Sequence, residues 1–220
     1  MTTFVSAPVA PLLDRLFAEA DAHNPLANPA FAAISRDEVH RLMRSKSKYR
    51  QFYAELKDYA LPVSREAGRL LYLLVRAANA KSIVEFGTSF GLSTLHLAAA
   101  LRDNGGGRLI TTEFEPSKVA TARANLTAGG LSDLVEFREG DALETLASDL
   151  PETIDLLLLD GAKALYGDVL KLVEDRLRPG AVIVADNADY CPDYLAHVSA
   201  IENGYLTLPF TDDVEISIRL

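Results

Sequence analysis

Val84-Glu85-Phe86-Gly87-Thr88-Ser89-Phe90-Gly91-Leu92-Ser93-Thr94 reads as a short apolar strand that runs into a glycine-rich turn and then a helix. Glycines let the backbone bend sharply and let a ligand come close to it. The helix beyond presents unpaired N–H groups and the positive end of its dipole, so an anionic group is welcome there. Two familiar phosphate-binding patterns are excluded. The dinucleotide fingerprint needs glycine two residues after the first one, and Ser89 stands there. A P-loop needs Gly-Lys-Ser/Thr at its end, and none follows.

Working outward, strands and helices alternate. Strands are predicted over 82–86, 108–113, 134–137, 154–160 and 181–186. Helices are predicted over 91–101, 116–128, 165–177 and 194–203, the third closed by Arg178-Pro179-Gly180. The run 154–160 is almost wholly apolar, as a strand buried on both faces should be. Two last segments, 205–208 and 214–219, are close enough to pair as an antiparallel hairpin. The pattern predicts the α/β class: a Rossmann-like, doubly wound, mostly parallel sheet of seven strands ending in that hairpin. Residues 1 to about 78 look helical, broken by Asn24-Pro25 and Asn28-Pro29. This divides the chain into a helical extension, 1–60, and a ligand-binding domain, 61–220.

The 220 residues are 49% hydrophobic and 24% charged, a profile of a soluble globular protein. The single cysteine, Cys191, excludes a disulfide framework and a cysteine zinc site and fits a reducing cytoplasm. No apolar run is long enough to span a membrane, and the N-terminus lacks the features of a secretory signal. A formal net charge of −9 argues against a nucleic-acid partner. One local basic patch, Arg41, Arg44, Lys46, Lys48 and Arg50, reads either as a solvated helix face or as a lid or oligomer contact near an anionic ligand.

Polar residues gather where strands end. In a doubly wound sheet those carboxyl ends face the ligand crevice. Glu113 closes the second strand 22 positions beyond Gly91, where an acidic side chain can accept both hydroxyls of a ribose. Gly140-Asp141-Ala142 follows the third strand, and Asp141 serves a turn there or faces a ligand. The fourth strand ends in Asp160-Gly161-Ala162-Lys163 and the fifth in Asp186-Asn187. A strand-end Asp by itself can be a mere turn or cap residue. Two such carboxylates beside an amide oxygen make a hard, oxygen-only set that suits Mg²⁺. Lys163 is either a surface lysine at a helix start or a functional cation. His96, within an apolar helix, reads as a satisfied core residue.

The spacing Glu-x-Gly-x-x-x-Gly-x-Ser resembles motif I of class I methyltransferases, which bind S-adenosylmethionine. Leu159-Asp-Gly-Ala-Lys-Ala-Leu-Tyr166 and Ala185-Asp-Asn187 resemble the metal and base motifs of the cation-dependent catechol and caffeoyl-CoA O-methyltransferases. Leu61-Pro62-Val63-Ser64-Arg65-Glu66 resembles the family's segment that lies over the cofactor. The match covers residues 60 to 220. It implies that Val63, Glu85, Gly87, Thr88, Ser89, Gly91, Ser93, Glu113, Asp141, Ala142 and Asp160 form the cofactor site. By the same resemblance Gly87 and Gly91 pack against the methionyl part, Ser93 holds its carboxylate and Asp141 faces the adenine amino group. Asp160, Asp186 and Asn187 would be the metal ligands and Lys163 the general base. The resemblance also implies a homodimer. One departure is Ala162, where plant and many bacterial members carry a second Asp and the animal enzyme an aromatic residue.

The implied chemistry is methyl transfer to a hydroxyl of a small catechol or related phenol. The cation would stabilise the phenolate, and Lys163, next to a dication, would lose its proton more readily. Two rival readings share the fold: a methyltransferase of another small acceptor, and a nicotinamide-dependent oxidoreductase, which the missing Gly-x-Gly opposes. Asp160→Ala is expected to remove metal-dependent activity and leave cofactor affinity largely intact.

Overall fold

The computed structural model describes residues 2–23, 25 and 34–220. The proposed breaks at Asn24 and Asn28-Pro29 lie outside them. Nine α-helices are described: α1 (Val9–Ala22), α2 (Arg36–Met43), α3 (Tyr49–Glu55), α4 (Arg65–Ala77), α5 (Leu92–Asp103), α6 (Pro116–Ala128), α7 (Ala142–Thr145), α8 (Tyr166–Val173) and α9 (Pro192–Ser199). Seven strands, β1 (Ser82–Phe86), β2 (Arg108–Glu113), β3 (Val135–Glu139), β4 (Ile154–Leu159), β5 (Leu177–Ala185), β6 (Tyr205–Pro209) and β7 (Glu215–Arg219), form one sheet in the order β3-β2-β1-β4-β5-β7-β6. The first five are parallel. β7 runs antiparallel to β5, and β6 antiparallel to β7. The doubly wound, seven-stranded sheet with its C-terminal hairpin is as the sequence pattern predicts.

Alternation along the central strands divides the core in two. Ile83, Leu156, Leu158, Val182 and Val184 face one side, where α1, α4, α5 and α6 cover them. Val84, Leu157, Leu159, Ile183 and Ala185 face the other, beneath α7, α8 and α9. Local signals start the helices. Ser64 caps α4 by accepting the Ala67 N–H at 3.0 Å. Pro116 and Pro192 open α6 and α9 at positions whose N–H would go unpaired in any case. His96 is a packed core residue, 2% exposed, with Nδ1 2.8 Å from the Leu92 carbonyl oxygen.

The boundary between the third predicted helix and the fifth strand differs from expectation. The helix predicted over 165–177 ends at Val173, a 3₁₀ turn spans Glu174–Arg176, and β5 already begins at Leu177. Arg178-Pro179-Gly180 therefore lies within the strand and does not stop a helix. The register slips there, with Ile154 opposite Leu177 but Leu156 opposite Val182. Pro179 can give no ladder hydrogen bond and Gly180 takes φ +80°, so the extra residues leave the ladder as a bulge. Among the described residues no helix is long and apolar enough to cross a membrane.

Candidate active site

The carboxyl ends of β1, β2, β4 and β5 are stitched together by main-chain bonds. Asp160 N–H donates to Phe86 O at 2.8 Å and Asp186 N–H to Leu159 O at 2.9 Å; Thr88 N–H donates to Thr112 O at 3.0 Å. These ends open into a cavity of about 680 Å³, lined among others by Gly87, Ser89, Glu113, Asp141, Ala142, Asp160, Lys163, Asp186 and Asn187. Nine of the residues singled out in the sequence thus meet in one space. Val63, Glu85, Thr88, Gly91 and Ser93 do not line it.

Lys163 is 4% exposed. Its Nζ donates to Asp160 Oδ1 at 2.9 Å, to the Tyr166 hydroxyl at 2.8 Å and to the Asp186 main-chain oxygen at 3.3 Å. The Tyr166 O–H donates to that same oxygen at 2.7 Å. The second carboxylate, Asp186 Oδ2, is 4.0 Å from Nζ. Burial disfavours the ammonium, but the oxygens of Tyr166, Asp160 and Asp186 outweigh it and hold the pKa well above 10.5. Asp186 is pushed up to about 8, first by burial and then by the Asp160 carboxylate beside it. Asn187 takes a left-handed φ of 50° and turns its Nδ2 toward Asp213 Oδ2 at 3.4 Å. Among the described residues no three His, Cys, Asp or Glu side chains group as a metal site. The available set is two crowded carboxylates and one amide oxygen. Its hard-oxygen chemistry and mutual repulsion fit a divalent cation such as Mg²⁺.

The glycine loop lies against this cluster. Gly87 has φ +103°, and a Cβ there would come within 2.4 Å of the Asp160 carbonyl oxygen. A Cβ on Gly161 would meet the Phe86 ring at 2.5 Å. The loops after β1 and β4 interlock only because both positions lack a side chain. Glu113 accepts the Ser89 N–H at 2.9 Å and the Glu115 N–H at 3.0 Å, so its carboxylate is fixed at the cavity wall. Beneath the loop Glu85 is fully buried and accepts the hydroxyls of Ser93, Thr94 and Thr111 at 2.6, 2.7 and 2.6 Å. Burial drives its carboxyl up to about 7 against the pull of those three donors. Glu85 and Ser93 therefore brace the loop from below.

The remaining wall comes from residues before the sheet. Tyr49, Phe52, Tyr53 and Leu56 line the cavity from α3 and its C-terminal end. The Tyr49 hydroxyl donates to Asp141 Oδ2 at 3.0 Å, and Arg50 pairs with the same oxygen. Asp141 Oδ1 meanwhile caps α7 through the Leu143 N–H at 2.9 Å. Lys46 pairs with Asp168, and Arg44 donates to the Asp189 carbonyl at 3.2 Å. Arg44, Lys46 and Arg50 of the basic patch thus tie this segment to the turn after β5, to α8 and to the loop after β3.

A family model described as a methyltransferase domain matches residues 84–188. Catechol O-methyltransferase of Niastella koreensis is 38% identical over 137 residues, 61% of this chain and 61% of that protein. Catechol O-methyltransferase of Sus scrofa is 31% identical over 150 residues, 64% of this chain and 80% of that protein. The chain belongs to the catechol O-methyltransferase family. It spans about three fifths of the length of the curated relatives it matches at 36–38% identity. The crystal structure of an O-methyltransferase from Bacillus cereus in complex with SAH superposes with a TM-score of 0.68 at 26% identity, over 86% of this chain and 93% of that one.

Within this family frame, sequence reasoning missed several cavity residues. Tyr49, Tyr53 and Leu56 carry helical periodicity, but periodicity does not say what a helix face packs against. Arg50 was visible only as part of a charge run. Lys118, 4% exposed, lines the cavity from the first turn of α6. A cation at a helix N-terminus is electrostatically misplaced, and that was the signal for it.

Proposed function

We propose that this chain transfers a methyl group from S-adenosylmethionine to a hydroxyl of a small catechol or related phenol, assisted by a divalent cation such as Mg²⁺. The observation that carries the reading is a convergence in one cavity. Gly87, Glu113, Asp160, Lys163, Asp186 and Asn187 all line it. Its volume falls in the range of roughly 300–1,000 Å³ usual for small-molecule sites. The family relatives named as catechol O-methyltransferases support the acceptor class.

The residues divide the work. The glycine loop brings backbone close to the cofactor, and Glu113 offers a carboxylate to its ribose. Asp160, Asp186 and Asn187 would hold the cation. Once bound, the cation would supply charge to stabilise an acceptor oxyanion and would draw the two carboxylates' charge away from Lys163. Lys163 stays charged while Asp160 and Asp186 face it alone. In its neutral form Nζ takes the proton of the acceptor hydroxyl. The Tyr166 oxygen and the Asp186 carbonyl then stabilise the ammonium so formed. Phe52, Leu56, Leu61 and Val214 supply apolar walls that orient an aromatic ring and keep water out. The proposal includes a homodimer in a reducing, cytoplasmic setting, where Cys191 stays a buried free thiol.

The test is methyl transfer from S-adenosylmethionine to a panel of catechols and caffeoyl-type phenols, with Mg²⁺ and with EDTA. Turnover that EDTA abolishes is the expected result. Turnover indifferent to EDTA removes the cation from the proposal. Failure to bind S-adenosylmethionine removes the whole reading. Sedimentation as a monomer at micromolar concentration would remove the dimer.

A further inference from the structure

Lys118 is a buried cation in an unfavourable place. It is the third residue of α6, where the helix dipole repels positive charge, and only 4% of it is exposed. Burial lowers its pKa, while Glu113, Asp160, Glu115 and Asp58 oppose that from nearby. An ammonium carries three donors. Among the described residues Nζ makes one hydrogen bond, to Ser89 Oγ at 3.2 Å, and lies 5.9 Å from the centre of the Phe90 ring. Lys118 lines the cavity together with Ser89 and Glu113, and the Ser89 N–H is bonded to the Glu113 carboxylate at 2.9 Å. A cation with spare donors therefore stands beside the acid assigned to the ribose.

That pairing has a chemical reason. Each hydroxyl of a vicinal diol both donates and accepts. A carboxylate satisfies only the O–H donors and leaves the oxygen lone pairs unmet. A neighbouring ammonium supplies the missing donor. We propose that Lys118 is a cofactor-positioning residue, whose ammonium donates to the oxygen of a ribose hydroxyl that itself donates to Glu113. This rests on the reading of the cavity as a site for S-adenosylmethionine.

The experiment is calorimetric titration of four ligands into the full chain. They are SAH, 5′-methylthioadenosine, which lacks the amino-acid end, and the 2′- and 3′-deoxy forms of 5′-methylthioadenosine. The proteins are wild type, Lys118→Met and Lys118→Arg, each with its melting temperature. The Met variant is expected to lose roughly tenfold in affinity for SAH and for 5′-methylthioadenosine alike, as for one charge-assisted bond. The Arg variant should recover part of the loss. With one of the two deoxy nucleosides the Met variant should match wild type. Loss confined to SAH overturns the proposal by placing Lys118 on the cofactor's carboxylate. Equal loss on the diol and both deoxy ligands overturns it in favour of a purely structural role, as does unchanged affinity throughout. If the Met variant does not fold, an Arg variant with wild-type preference among the four ligands supports it, and one indifferent to the deoxy change overturns it. Wild type that binds none of them removes the cofactor reading itself, and with it this inference.

Discussion

Acid should unfold this protein partly through one histidine. His96 lies in the interface between α4 and α5, with its ring between Phe4 and Phe17 at centroid distances of 5.4 and 6.0 Å. Its Nδ1 is 2.8 Å from the Leu92 carbonyl oxygen, so that nitrogen carries the proton of the neutral ring. The other edge abuts Gly68 so closely that a Cβ there would lie 2.7 Å from Cε1 and Nε2. A second proton would sit on the edge packed against Gly68, and the nearby Arg69 charge adds to the cost. Burial, followed by Arg69 and against the Leu92 carbonyl, takes the pKa from 6.5 down to about 4. The unfolded chain therefore binds the proton first. His96 does not oppose folding above its unfolded pKa, and stability is lost as pH falls from there through the folded pKa. At about pH 5 the loss works out at about 2 kcal/mol. Urea unfolding of wild type and His96→Leu at about pH 7.5 and about pH 5 isolates it, because every other group titrates in both proteins. Wild type should lose about 2 kcal/mol more than the variant over that interval. Equal losses would refute the buried, neutral assignment.

Three further outcomes follow from the site. Asp160→Asn should lower methyl transfer by about a hundredfold or more with SAH affinity within a few-fold of wild type, read by calorimetry; parallel loss of both denies Asp160 a role separate from the cofactor. Glu113→Gln should weaken SAH binding by about tenfold, because the neutral amide is a poorer acceptor for ribose hydroxyls, and an unchanged Kd removes the ribose assignment. Gly87→Ala combines a left-handed φ with a Cβ 2.4 Å from the Asp160 carbonyl oxygen. It should cost about 1–3 kcal/mol in thermal or urea unfolding and impair cofactor binding, and a variant as stable as wild type contradicts the interlocked loops.

Periodicity and punctuation alone determined the sheet. Apolar runs such as 154–159 have one way to be buried on both faces, and the Gly87–Gly91 turn marks where the first strand hands over to a helix. The strand-end acids were legible for the same reason, since parallel strands deliver their carboxyl ends to one crevice. Pro179 and Gly180 misled, because residues that end a helix also make a bulge, and only pairing against β4 distinguishes the two. Other matters needed the third dimension. Glu85 reads as part of the cofactor motif, yet the fold turns it inward to three hydroxyls. Lys163 reads as a base near a cation, yet its charge depends on two carboxylates brought to it by β4 and β5. Tyr49, Arg50 and Lys118 join the cavity through contacts with Asp141 and Ser89, from 29 to 92 positions away in the chain. Sequence spacing fixes what lies one turn or one strand apart. It carries no information on which distant side chains meet, because that follows from how whole layers pack.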